Sequence, residues 1–131
     1  MSRDRSFWGW GYRDYELDKS AIEQYKELLK AALGIKRFSS IDEPLIENIE
    51  IRKPRFELPD ELQDLCTSDD QDRAAHSYGK SFRDIWRGSH GIFDNPPDYI
   101  AYPKTEGHIL SLYQFAEKNN VSIVPYGGGS S

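Results

Sequence analysis

The chain has 131 residues, 37% of them hydrophobic, a mean hydropathy of −0.74 and a net charge of −5 from 17 Lys and Arg against 22 Asp and Glu. That acidic balance, with no cluster of basic residues, lacks the electrostatic footprint of a nucleic-acid binder, and no run reaches the ~20 apolar residues that span a bilayer. A single cysteine, Cys66, excludes an internal disulfide framework and a cysteine-based structural zinc site.

The first residues turn aromatic at once, in Phe7-Trp8-Gly9-Trp10-Gly11-Tyr12, with no apolar run like that of a signal peptide, so a soluble protein of the reducing cytoplasm is expected. Trp8 and Trp10 read as packing anchors. A helix follows from about Ser20 to Leu33. Ser20 and Glu23 fit a capping box, Ile22, Tyr25, Leu28, Leu29 and Leu33 recur at helical intervals, and Gly34 suits a left-handed C-terminal residue. From Phe38 to Leu65, Pro44, Pro54 and Pro59 with alternating Ile49 and Ile51 predict extended segments that wrap over other structure, and a short turn of helix near Leu62.

Thr67 to Arg73 is polar and acidic and reads as a solvated loop carrying Asp69, Asp70 and Asp72. Next, Lys80 to Arg87 predicts a short amphipathic helix with Phe82, Ile85 and Trp86 on its apolar face. His76, His90 and His108 lack metal-ligand spacing. After Asn95-Pro96-Pro97, Asp98 to Tyr102 reads as a strand, Thr105 as the cap of a helix running to about Asn119, and Val121 to Val124 as a second strand. Strand, helix and strand predict a βαβ unit with parallel strands and Tyr99, Ile100, Ile123 and Val124 packed on Leu112 and Phe115.

The second strand runs into Pro125-Tyr126-Gly127-Gly128-Gly129-Ser130-Ser131. Glycines tolerate positive φ and leave backbone amides bare, and loops at the carboxyl ends of α/β strands are where ligands bind. Neither the P-loop pattern nor the dinucleotide fingerprint is satisfied, so a pyrophosphate held by amides and two hydroxyls is the reading. The rival is a flexible Gly/Ser linker.

Taken in order, WGWGY, RAAHSYGKSFRDIWRGSHG, PPDYIAYP and IVPYGGGSS resemble the amino-terminal portion of the FAD-linked oxidase superfamily of the vanillyl-alcohol oxidase type. The nearest likeness is to its alkyldihydroxyacetonephosphate synthase branch and bacterial FAD-binding oxidases. The resemblance implies a mixed α+β and α/β architecture. A helical extension over residues 1–94 precedes the first βαβ of a PCMH-type FAD-binding domain over residues 95–131, truncated at the pyrophosphate loop. It implies FAD as cofactor, gripped by Pro125, Tyr126, Gly127, Gly128, Gly129, Ser130 and Ser131. Ser130 stands where Thr is frequent, and Tyr78 where the synthase branch usually has a second histidine.

The function implied for the whole protein is that of an FAD-dependent oxidoreductase or an ether-lipid transferase that exchanges an acyl group for a fatty alcohol on dihydroxyacetone phosphate. Its substrate would be a small molecule or lipid-like, a homodimer is compatible with it, and catalytic residues would lie beyond Ser131. The chain alone is expected to be inactive and to bind FAD weakly or not at all, because half a cradle leaves the loop's ordering cost uncompensated. His76 and Arg83 are expected to act as a hydrogen-bonded brace rather than in catalysis. The alternative from another class is a non-enzymatic interaction module with a Gly/Ser tail.

Overall fold

The structure, a computed structural model, describes residues 5–13, 18–39 and 41–130. It divides into two compact units, Met1–Ser6 with Trp10–Glu43, and Phe7–Gly9 with Pro44–Ser131.

The first unit is organised by helix α1, Lys19–Leu33. Asp18, not Ser20, is its N-cap: the Asp18 carboxylate accepts from the Ser20 amide at 2.7 Å, which satisfies one of the donors that a helix start leaves orphaned. The other end closes as the sequence predicts. Gly34 adopts φ 65° and its amide donates to the Lys30 carbonyl at 2.9 Å. Lys26 pairs with Glu23 and Lys30 with Glu27 along the exposed surface, each pair contributing a few tenths of a kcal/mol at most. None of the apolar stripe of α1 is buried.

The second unit holds helices α2 (Asp60–Gln63), α3 (Asp70–Ala75), α4 (Phe82–Ser89) and α5 (Glu106–Asn119) and two short strands, β1 (Cys66–Thr67) and β2 (Ile100–Ala101). Its core is Phe7, Ile51, Ala74 and Phe93, with Trp8, Ile46, Ile49, Ala75 and Tyr78 against it. Phe93 sits between two rings, with Phe7 at 6.0 Å and a stacked Tyr78 at 5.6 Å, contacts worth about 0.5–1.5 kcal/mol each beyond the area they bury. Trp8 is an anchor as expected: a Cβ placed on Gly88 would meet its Cα, Cβ and carbonyl oxygen at 3.0 Å, so α4 can approach the Trp8 backbone only through glycine. Trp10, in contrast, is exposed.

Two sequence expectations are corrected here, and a third is met. The acidic run is not a loop: Asp69 caps α3 by accepting from the Asp72 amide at 3.0 Å, and Asp70 and Asp72 occupy the first turn, where carboxylates complement the helix dipole. The short amphipathic helix forms where expected, as α4, opened by a capping box between Ser81 and Asp84, and Phe82 on its apolar face is 87% exposed. Finally, the parallel pairing of 98–102 with 121–124 is not formed. Ile100–Ala101 pairs antiparallel with Cys66–Thr67, Cys66 opposite Ala101, and the Tyr102 amide extends the ladder to the Leu65 carbonyl at 2.8 Å.

The physical reason lies in the apolar surface that occupies this region. Phe56, on the proline-rich extended arm, inserts its ring between Tyr99 at 5.3 Å and Phe115 of α5 at 5.9 Å, and the Tyr99 hydroxyl donates to the Phe56 carbonyl at 2.8 Å. That arm leads through α2 into residues 65–67, which pair with β2. Segment 121–124 follows α5 through Asn120 in the left-handed conformation, stays extended, and leaves Val124 83% exposed. Helix α5 itself matches expectation at both ends, with the Thr105 hydroxyl accepting from the His108 amide at 3.2 Å. Of its apolar face, Ala116 is buried while Ile109, Leu110 and Tyr113 are exposed.

Candidate functional site

The glycine loop lies against the turn that follows α3. Three contacts fix it there. The Tyr126 hydroxyl donates to the Ala75 carbonyl at 3.2 Å, the Tyr126 ring rests on the His76 ring at 4.2 Å, and the Lys80 amide donates to the Ser130 carbonyl at 3.2 Å. A free Gly/Ser linker would make none of these. Local chemistry explains the bracket: α3 stops at Ala75, His76 forms its C-cap, and the His76 Nδ1 lies 2.7 Å from the Asp72 carbonyl. A carbonyl only accepts, so this contact is a hydrogen bond donated by Nδ1.

A second tyrosine completes the surroundings. The Tyr102 hydroxyl donates to the Asp72 carboxylate at 3.1 Å, and its ring meets His76 edge-on at 6.2 Å. Burial, and then the charge of Asp72, push the Tyr102 phenol up to about 12, so it remains a donor across the physiological range. Arg83, paired with His76 in the expected brace, is exposed, and its guanidinium forms no hydrogen bond among the described residues.

Within the loop the glycines differ. Gly129 is buried at φ 70°, and a Cβ there would collide with the Tyr126 hydroxyl and come within 2.6 Å of its Cζ. Gly127 and Gly128 are exposed, with nothing within 4 Å of a would-be Cβ. Among the described residues no hydrogen bond uses the amides of Gly127, Gly128 or Gly129. Pro125 and the Ser130 side chain are also exposed, and Ser131 lies outside the described residues. The loop therefore offers three unengaged amides, two bare α-carbons and one hydroxyl, a donor set that suits an oxyanion. Gly129→Ala is expected to break the loop from its bracket, since the tyrosine that blocks the new methyl is itself held by Ala75 and His76. Amide exchange at Lys80 reports this, and an unchanged rate would show that the loop accommodates a Cβ.

The same unit holds two buried charged groups that the sequence reading did not single out. Arg73 is 1% exposed and donates to the carbonyls of Pro97 at 2.8 Å and Arg52 at 2.5 Å and to Asp70 at 2.9 Å. Asp98 accepts from Arg52 Nη1 at 2.7 Å, from the Arg55 amide at 2.9 Å and from Arg55 Nη2 at 2.6 Å. Burial alone would raise the Asp98 carboxyl, but the hydrogen bonds of Arg55 and Arg52 outweigh it and hold the group well below the ordinary range. Burial also raises the Cys66 thiol, which keeps it protonated and unreactive. The signals for Ser81 and Asp69 were in the sequence as S-x-x-D and D-x-x-D spacings, whereas nothing local marks Arg73 or Asp98 as buried.

A glycine turn whose amides have no partner among the described residues follows an extended segment and is tied to the C-terminal end of α3, on a mixed α+β scaffold. The chain carrying it is related in sequence and in fold to alkyldihydroxyacetonephosphate synthase. It is 39% identical to that enzyme of Dictyostelium discoideum over 97 residues, 66% of this chain and 15% of the relative. Against the Trypanosoma brucei brucei enzyme the identity is 35% over 77 residues, 55% of this chain and 13% of the relative. Two crystal forms of alkyldihydroxyacetonephosphate synthase, P1 and P212121, superpose with TM-scores of 0.71 and 0.69, each at 28% identity over 96% of this chain and 28% of the solved one. No family model matches the chain. The chain thus spans less than a third of the length of these relatives.

Proposed function

We propose that this chain is the glycine-loop portion of an FAD-dependent, alkyldihydroxyacetonephosphate synthase-like flavoprotein, with residues 125–131 as the seat of the FAD pyrophosphate. The single observation that carries this reading is the loop itself: three consecutive amides without partners among the described residues, on a segment held at both ends by Tyr126 and Ser130. Likeness to the synthases in sequence and fold supplies the class of cofactor. Bound FAD would supply redox and adduct chemistry that amino-acid side chains lack.

The chain's own residues have simpler tasks. The amides of Gly127, Gly128 and Gly129 donate to phosphate oxygens, the Ser130 hydroxyl adds a further donor, and bare α-carbons at 127 and 128 let the diphosphate approach the backbone. Positive φ at Gly129 turns the chain back to the Lys80 amide. Tyr126 stands outside the donor set and holds the loop on its bracket. On this reading the whole protein acts on a lipid-like ester of dihydroxyacetone phosphate in the cytoplasm.

The test is flavin titration of the full-length protein, followed by quenching of flavin fluorescence. Gly128→Val, which puts a branched side chain where the diphosphate would approach, is expected to weaken FAD binding at least tenfold, the equivalent of about 1.4 kcal/mol. Unchanged affinity in that variant would overturn the assignment of the loop.

A further inference from the structure

We propose that His76 and Tyr126 form a positioning clasp that sets the glycine loop in its binding shape before any phosphate arrives. The inference rests on the reading of the loop as a pyrophosphate site and adds two positioning residues to it, one of them 50 residues away in sequence from the loop.

The geometry runs as a chain of constraints. Asp72 fixes the His76 ring through its carbonyl, 2.7 Å from Nδ1. That ring supports the face of Tyr126 at 4.2 Å, and the tyrosine hydroxyl is tied to the neighbouring Ala75 carbonyl. With both ends of the side chain held, the phenol closes over the α-carbon of Gly129, so the left-handed turn at that glycine is the one that fits beneath it. Four residues past His76, the Lys80 amide takes the Ser130 carbonyl and closes the far side of the loop. All of these contacts use one bracket, residues 72–80, and they spare the amides of Gly127, Gly128 and Gly129. A loop ordered in advance does not lose its freedom at the moment of binding, so the clasp acts on affinity without touching the ligand.

Two readouts on the full-length protein test this. Amide exchange at Lys80 without flavin reports the clasp directly. Tyr126→Ala, which removes both ring and hydroxyl, is expected to speed that exchange about tenfold and to weaken FAD binding by a similar factor, while Tyr126→Phe, which keeps the ring on His76, stays within about threefold of wild type on both. His76→Ala is expected to follow Tyr126→Ala. Exchange at the Arg55 amide, which donates to Asp98 at 2.9 Å, should not change in any of them, which separates loop release from general destabilisation. Exchange at Lys80 in Tyr126→Ala equal to wild type would overturn the clasp, as would faster exchange with undiminished FAD affinity in a protein where Gly128→Val does lose it. If Gly128→Val leaves FAD binding intact, it is the reading of the loop that fails, and exchange at Lys80 still decides whether the clasp exists.

Discussion

Replacing Arg73 with methionine is expected to cost about 3–4 kcal/mol of folding free energy, the largest effect of any single side chain in the second unit. Methionine fills much of the same volume, so the loss isolates the guanidinium. Without it, the carbonyls of Pro97 and Arg52 lose their donor in a site that is 1% exposed, and each orphaned acceptor costs about 1–3 kcal/mol. The Asp70 pair adds little to this, because that carboxylate is 56% exposed and screened by water. Urea denaturation followed by circular dichroism measures the difference; a loss below about 1 kcal/mol would mean that water replaces the guanidinium at those carbonyls. Because Arg73 lies in α3, one turn before the His76 bracket, the variant should also loosen the glycine loop.

Acid sensitivity is the second large effect, and it is centred on Asp98. Its carboxyl is held well below the ordinary value of 3.8 by Arg55 and Arg52 once their hydrogen bonds have overcome the burial that opposes them. A group depressed in the folded state stabilises that state above its unfolded value and loses the contribution as pH falls toward the depressed one. Wild-type stability should therefore fall with acidification below about pH 4, and in Asp98→Asn the part of that slope owed to this carboxylate should vanish. At neutral pH the same variant is expected to be less stable by about 2–3 kcal/mol, toward the lower end for a broken buried ion pair because Arg55 is 72% exposed. Denaturant titrations at several pH values check both. Parallel slopes for the two proteins between pH 4 and pH 2 would show that Asp98 is not the acid-labile group.

The two charged hubs explain a feature of the fold that is otherwise puzzling in so polar a chain. Arg52, Arg55, Arg73 and Asp98 join the proline-rich arm, α3 and the 96–98 turn where apolar surface is scarce. They fix the edge on which β2 meets β1, and through α3 they fix the bracket that receives the loop.

Local signals were enough for much of this protein. Helical periodicity with Gly34 gave α1, Thr105 and Asn120 bounded α5, the S-x-x-D spacing at Ser81 sets α4, and the run of three glycines after an extended segment marked the loop, because caps, turns and bare α-carbons depend on residues within a few positions of one another. Pairing of β2 with residues 66–67, burial of Arg73 and Asp98, and the seating of Tyr126 on His76 were decided by tertiary structure alone. These contacts join residues separated by between 21 and 51 positions, and their energies come from desolvation and shared hydrogen bonds that exist only once the segments have met.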